Sequence, residues 1–164
     1  MWIKILFENT FYRILEEERE QQKAGEFRSA EENFASLNSN ITHYWRAEEI
    51  NRYLAQLEEN YPNLARVETV GHSIEGRPIQ SIEISRHGRV NGSRPIIFID
   101  ATIHAREWIT PMVAVYIINN LVVNSANNSD LLDNLDWIII PLVNPDGYEF
   151  THTHVIFIKI YQFI

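Results

Sequence analysis

The segment that most constrains the fold is an apolar run that ends in a short polar cluster. Residues 96–99, Ile-Ile-Phe-Ile, are typical of a strand that is buried in a sheet. Asp100 follows this apolar run, and His104 lies four residues after Asp100. Glu107 comes three residues after His104, where helical periodicity begins. Open α/β sheets place their functional sites beyond the carboxyl ends of strands. We therefore expect a functional site at His104 and Glu107.

The spacing of these two residues suggests a metal site. A neutral imidazole and a carboxylate three residues apart can face the same way, and both are ligands that zinc accepts. The spacing alone is weak, because a chain with this many His and Glu contains about 0.6 such pairs by chance. His72 and Glu75 have the same spacing, but glycines and a proline around them indicate a turn between two short strands. We interpret that second pair as solvated turn residues.

Composition narrows the class of protein. A chain of 164 residues, 45% hydrophobic, is long enough for one domain with its own core. The net charge of −8 argues against a nucleic-acid partner and gives no basic face for a membrane. The absence of cysteine excludes disulfides and thiolate metal sites. Residues 1–7 are too short, and are interrupted by Lys4, for the core of a signal peptide. Glycosylation sequons at Asn40, Asn91 and Asn127 mildly favour secretion.

The pattern of apolar residues predicts alternating strands and helices. This alternation indicates an α/β sheet with helices on both faces, parallel pairing around the central strand and an antiparallel hairpin at one edge. The predicted strands are residues 2–7, 67–70, 79–84, 95–101 and 137–142, and the predicted helices are residues 9–22, about 50–61 and 107–123, with a short helical piece after 129.

Four segments, in order, resemble the zinc metallocarboxypeptidases of the carboxypeptidase A/B type. Residues 104–109, His-Ala-Arg-Glu-Trp-Ile, resemble the zinc motif of that family. Residues 47–62 resemble its first catalytic-domain helix, residues 71–79 its hairpin, and residues 144–153, which begin Asn-Pro-Asp-Gly-Tyr, its strand-end loop. Together these segments cover about residues 41–153.

The resemblance implies a fold, a cofactor and an activity. The implied fold is a three-layer, doubly wound mixed α/β sheet of the zinc carboxypeptidase type, of which only the N-terminal part is present. His104 and Glu107 would bind Zn2+, and Arg106 would contact the substrate. The implied parent protein is a secreted, monomeric enzyme, made as a zymogen, that removes C-terminal residues from peptides and proteins. The resemblance implies no nucleic-acid or membrane partner.

The same resemblance divides the chain into three parts. Residues 1–40 resemble the last strand, helix and activation linker of a pro-domain, and residues 41–153 the N-terminal part of the catalytic domain. Residues 154–164 form an apolar tail that departs from the family and has the composition of an aggregation-prone strand. The third zinc ligand, the general-base Glu, the carboxylate clamp and the specificity pocket of the family are missing here. We therefore expect these 164 residues alone to be inactive.

Several alternatives remain open at this point. Asp100 could orient a metal ligand, or it could simply end a strand. His152 and His154 alternate along a segment that we predict to be extended, but they have no carboxylate partner, so we do not interpret them as a second metal site. The protein could also be a catalytically inactive family member that acts as a binding module. A related zinc amidohydrolase, such as a deacylase of small amides, could share the same His-x-x-Glu ligands.

Overall fold

The computed structural model describes residues 43–154, and the boundary between the two compact units of the chain falls between Tyr44 and Trp45. The elements predicted within residues 1–40 and the apolar tail after His154 lie outside the described residues. The described helices and strands all belong to the second unit. In chain order they are α1 (Ala47–Asn60), β1 (Ala65–His72), β2 (Pro78–Ile84), β3 (Ile96–Asp100), α2 (Ile109–Val122), a 3-10 turn (Ser125–Asn128), α3 (Ser129–Asp133), β4 (Asp136–Ile140) and α4 (Pro145–Thr153).

Helix α1 forms because its apolar residues recur on one face. Ile50, Leu54 and Leu57 are fully buried at helical spacing. At its start, Glu49 accepts a hydrogen bond from the Arg46 amide at 2.7 Å, which satisfies one of the backbone donors that a helix leaves open there. The helix ends before Pro62, where the Tyr61 amide donates to the Leu57 carbonyl at 2.8 Å. The helix predicted for this segment is confirmed.

The four strands form one mixed sheet in the order β1-β2-β4-β3. Strands β1 and β2 make an antiparallel hairpin at one edge, and β2 pairs antiparallel with β4. Strand β3 pairs parallel with β4, with Asp100 opposite Ile140. The predicted α/β class, the edge hairpin and the parallel pair are all confirmed.

One face of the sheet carries the core. Ile82, Ile84 and Ile139 point to the same side and are fully buried. Helices α1 and α2 meet in this core, where the Tyr53 hydroxyl donates to Asn119 Oδ1 at 2.7 Å. Burial raises the pKa of Tyr53 above its ordinary value, so the hydroxyl remains a donor at any physiological pH.

Strand β3 is more exposed than its composition suggests. Ile96 is 40% and Phe98 is 57% exposed, and none of the five residues of the strand is buried. The prediction that this strand is buried is therefore wrong for the described part of the chain. Within that part β3 is the last strand of the sheet, so it has a partner on one side only, and its apolar residues remain open.

Residues 144–153 also differ from the sequence prediction. They form helix α4, not a loop followed by an extended segment. The helix begins because Asn144 Oδ1 accepts a hydrogen bond from the Gly147 amide at 3.0 Å and Pro145 occupies the first helical position. The turn-forming residues of this segment are thus the start of a helix.

No single helix among residues 43–154 is long and apolar enough to cross a membrane. Helix α2 and the segment Ser125–Asp133 reach the necessary length and apolar composition only when they are taken together, and the chain bends by 90° between them.

Because β3 is an open apolar edge within residues 43–154, we expect the 164-residue chain to self-associate through it. Phe98→Lys places a charge on the exposed face of that edge and should reduce self-association, as measured by light scattering during gel filtration. Tyr116→Lys is the matched control, because Tyr116 is 61% exposed on helix α2 and not on a strand edge. An equal reduction in both variants would show that surface charge, and not the edge strand, governs association.

Candidate functional site

The site is built where two parallel strands end together. The ladder continues past β3 and β4, since the Ala101 amide donates to the Ile140 carbonyl at 2.9 Å and the Val143 amide donates to the Ala101 carbonyl at 3.0 Å. Thr102 then adopts a φ of +65°, which a β-branched residue rarely does. Its buried hydroxyl donates to the Pro141 carbonyl at 3.0 Å and so stabilises this conformation. Thr102 is the point at which the chain leaves the strand.

Residues 103–108, which we name the His–Glu turn, carry the predicted metal ligands. The Glu107 amide donates to the His104 carbonyl at 3.1 Å and closes the turn. Helix α2 starts only at Ile109, so the predicted start at Glu107 is two residues early and Glu107 precedes the helix. Pro111 occupies the third helical position, where the missing N–H is tolerated.

The side chains of His104 and Glu107 are both exposed. Neither makes a side-chain hydrogen bond within residues 43–154. An imidazole nitrogen and a carboxylate oxygen without internal partners suit a metal ion such as zinc, so this donor pair fits the predicted cofactor. Across the described residues, however, no group of three or more His, Cys, Asp or Glu side chains could hold a metal ion. The turn supplies two donors of a site that needs more.

The His–Glu turn forms one wall of an open cleft of about 590 Å³. The opposite walls come from the tip of the β1–β2 hairpin and from α4. The lining residues are Glu75, Ile103, His104, Ala105, Arg106, Glu107, Asp146, Gly147, Phe150 and Thr151. The cleft therefore contains both predicted metal ligands and Arg106, the predicted substrate contact.

Asp146 attaches the hairpin tip, residues 73–77, to the start of α4. Its carboxylate accepts hydrogen bonds from Ser73 Oγ at 2.7 Å, from the Glu75 amide at 3.0 Å and from Arg77 Nη1. Although desolvation alone would raise it, these hydrogen bonds hold the pKa of Asp146 below its ordinary value. Asp146 thus stays ionised and keeps the hairpin tip at the cleft.

The second His–Glu pair lies at the end of β1 and in the turn that follows it, so that Glu75 is in the predicted turn and His72 is the last residue of the strand. His72 and Glu75 are both exposed. Only Glu75 reaches the cleft, and its carboxylate accepts a hydrogen bond from Arg77 Nη1 at 2.6 Å. The sequence did not reveal that this hairpin borders the site, because the contact joins residues far apart in the chain.

His152 lies away from the cleft lining, in the packing between α4 and the His–Glu turn. It is 6% exposed, and its ring stacks on Trp108 with 4.0 Å between the ring centroids. Burial, assisted by the nearby Arg46 cation, lowers the pKa of His152 to about 4. The extended segment predicted here is wrong, because His152 is on a helix; His154 is exposed and stacks on Phe150.

Asp100 lies at the exposed end of β3. Its carboxylate makes no hydrogen bond to His104 or to any other side chain within residues 43–154. Of its two predicted roles, the end of a strand is the one that fits this position.

The comparison with known proteins fits this geometry. Residues 50–159 match the sequence profile of the zinc carboxypeptidases. The chain belongs to the zinc carboxypeptidase family.

The chain is similar to several members of this family. The chain is 46% identical to a carboxypeptidase B from Astacus astacus over 68% of this chain and 36% of that protein. It superposes on a carboxypeptidase A from Helicoverpa armigera with a TM-score of 0.72 and 34% identity, covering 85% of this chain and 33% of that one. It is also 39% identical to an inactive metallocarboxypeptidase of Saccharomyces cerevisiae over 62% of this chain and 25% of that protein. The chain thus spans about a third or less of the relatives that it matches.

The buried His152 makes the stability of this zinc carboxypeptidase chain sensitive to pH. Its pKa is about 4 when folded and about 6.5 when unfolded, so between these values the unfolded state binds the additional proton. The contribution of the neutral His152 to the stability of the folded chain is complete above pH 6.5 and is lost as the pH falls toward 4. The whole shift corresponds to about 3 kcal/mol in the free energy of unfolding.

Urea unfolding between pH 4.5 and 7.5 tests this prediction. His152→Phe keeps an aromatic ring against Trp108 but cannot be protonated, so its stability should depend less on pH in this window. His72→Phe, at an exposed position, is the control and should keep the pH dependence of the unmodified chain. If the free energy of unfolding of His152→Phe depended on pH as strongly as that of the unmodified chain, another group would control this pH dependence.

Proposed function

We propose that the protein is a zinc-dependent metallocarboxypeptidase that removes C-terminal residues from peptides. In this proposal His104 and Glu107 are two of the zinc ligands, and Arg106 contacts the substrate. Family membership supports the reaction class, while the residue roles rest on the geometry of the His–Glu turn.

One observation carries the assignment of the ligands. A single turn places an imidazole and a carboxylate in the same cleft, and neither side chain is engaged by a hydrogen bond within residues 43–154. Charged and polar side chains that are used for structure in this region have partners, as Asp146 and Arg77 do. Two polar side chains left open in the same cleft are suited to an external ligand.

The residues around the cleft suggest how a peptide would be held. Zinc in such sites polarises the scissile carbonyl and lowers the pKa of bound water. Arg106 lies between the two ligands and brings a permanent cation to the cleft, which suits a carbonyl or carboxylate oxygen of the substrate. A third zinc ligand must come from residues outside 43–154, because no three donors come together within that range.

The proposal extends to the setting of the enzyme. The partners are peptides and proteins with a free C-terminus, and a net charge of −8 disfavours nucleic acid. We also propose that the enzyme is monomeric, made as a zymogen and secreted, and secretion is consistent with sequons at Asn91 and Asn127, both of which are exposed. Residues 1–40 would then be the end of the pro-domain and its activation linker.

A second candidate function is a binding module without catalytic activity. The similarity to an inactive metallocarboxypeptidase of Saccharomyces cerevisiae favours it. In both cases we expect the 164 residues alone to be inactive, since the described part supplies too few metal donors for a catalytic site. Hydrolysis measured with the whole protein distinguishes the two functions.

The decisive substitution is Glu107→Gln in the whole protein. It removes a negatively charged ligand with little change in side-chain volume. It should lower kcat/KM for a blocked dipeptide by more than about 100-fold, because even the loss of a group that only hydrogen-bonds to a metal ligand costs about 10- to 100-fold. Glu68→Gln, an exposed Glu on β1, is the matched control and should leave the rate unchanged. His104→Ala should weaken zinc binding in a chelator competition, whereas His72→Ala should not.

The outcomes separate the two candidate functions. Hydrolysis that depends on Glu107 but not on Glu68 supports the enzyme. A whole protein that folds and shows no hydrolysis with saturating zinc favours the binding module. Hydrolysis that survives Glu107→Gln and His104→Ala would contradict the assigned ligands.

A further inference from the structure

We propose that Asn144 and Thr151 are positioning residues that hold the His–Glu turn in place for metal binding. This inference rests on the proposed role of His104 and Glu107. Neither residue is suggested to touch the metal or the substrate. Both act through the backbone or side chain of the turn.

Thr151 is attached to the C-terminal end of the turn. Its hydroxyl oxygen accepts a hydrogen bond from Trp108 Nε1 at 2.8 Å, and Trp108 directly follows Glu107. The same hydroxyl lies 2.7 Å from the Tyr148 carbonyl and 3.2 Å from the Ala105 carbonyl, to either of which it can donate its one proton. Thr151 therefore connects α4 to the indole beside Glu107 and reaches the backbone within the turn.

Asn144 is attached to the N-terminal end of the turn. Its Oδ1 accepts from the Gly147 amide at 3.0 Å, which orients the side-chain amide. Its Nδ2 then donates to the Ile103 carbonyl at 3.2 Å, and Ile103 directly precedes His104. The two contacts from α4 and its cap thus flank both predicted ligands.

Close packing of α4 against the turn accompanies these hydrogen bonds. A Cβ atom added to Gly147 would lie 3.0 Å from Ala105 Cβ and less than 3 Å from the side chain of Asn144. At these distances neighbouring atoms would have to move. The absence of a side chain at Gly147 is what allows the helix start to approach the turn this closely.

This arrangement explains how an exposed turn can present two ligands in a defined geometry. His104 and Glu107 have no side-chain hydrogen bonds of their own within residues 43–154, so their positions depend on what holds the turn. A site whose ligands are held before the metal arrives binds it more tightly than one that must be ordered on binding. Zinc affinity should therefore depend on Thr151, although Thr151 is not a ligand.

The test uses the whole protein and zinc alone, with affinity measured by chelator competition. Thr151→Val keeps the shape of the side chain but removes the hydroxyl, and should weaken zinc binding by about 10-fold. Thr151→Ser restores the hydroxyl and should recover most of the affinity. Thr153→Val is the matched control on the same helix, because the Thr153 hydroxyl lies 3.1 Å from Glu149 O and 3.2 Å from Phe150 O of α4 itself.

A second measurement reports on the turn without the metal. Amide hydrogen exchange of residues 103–108 should become faster in Thr151→Val and return toward the original rate in Thr151→Ser. Unchanged exchange together with unchanged zinc affinity in Thr151→Val would overturn the inference. Zinc binding that is independent of His104 in the unmodified chain would overturn the proposed ligands and this inference with them, so the two failures are distinguishable.

Discussion

The parallel pairing of β3 with β4 is the constraint on which the rest of the site depends. Because parallel strands end at the same edge, the residues that follow Asp100 and Ile140 lie side by side, and backbone hydrogen bonds between Ala101, Ile140 and Val143 prolong that contact. The segment after β3 becomes the His–Glu turn, and the segment after β4 becomes the cap and first turn of α4. The two halves of the cleft are therefore neighbours through the sheet.

Around this edge, structural polar groups are paired, while the side chains of His104 and Glu107 make no hydrogen bond within residues 43–154. Asp146 accepts hydrogen bonds from the hairpin tip. Glu149 accepts them from the Arg46 side chain and, at 2.9 Å, from the Ala47 amide. Burial alone would raise the pKa of Glu149, but these contacts hold it below its ordinary value, so this carboxylate stays charged at the start of α1. Such pairing fixes the walls of the cleft, whereas His104 and Glu107 remain available.

The sequence predicts the features that depend on local patterns. The apolar runs and the Gly and Pro residues between them indicate the strands, the hairpin and the parallel pair, and the spacing of Ile50, Leu54 and Leu57 indicates α1. The motif at His104 and Glu107 points to the edge of the sheet at which β3 and β4 end together. The strands, the hairpin and the helix are predicted because each depends on residues that are close in the chain, and the parallel pair follows from the alternation of strands and helices.

Features that depend on distant contacts could not be predicted in this way. The exposure of Phe98 follows from the position of β3 at the edge of the described sheet, which its apolar composition does not reveal. The positive φ of Thr102 depends on a hydrogen bond to Pro141, and the role of Thr151 depends on Trp108. Helix α4 is the exception, since Asn144 and Pro145 are a recognisable helix start that the turn-like composition of the segment obscured.

Anomalous diffraction at the zinc absorption edge, from crystals of the whole protein grown with zinc, tests the central claim most directly. We expect one strong peak about 2.0–2.2 Å from an imidazole nitrogen of His104 and a carboxylate oxygen of Glu107. A peak that lies at His72 and Glu75, or at any position that does not contact both His104 and Glu107, would contradict it.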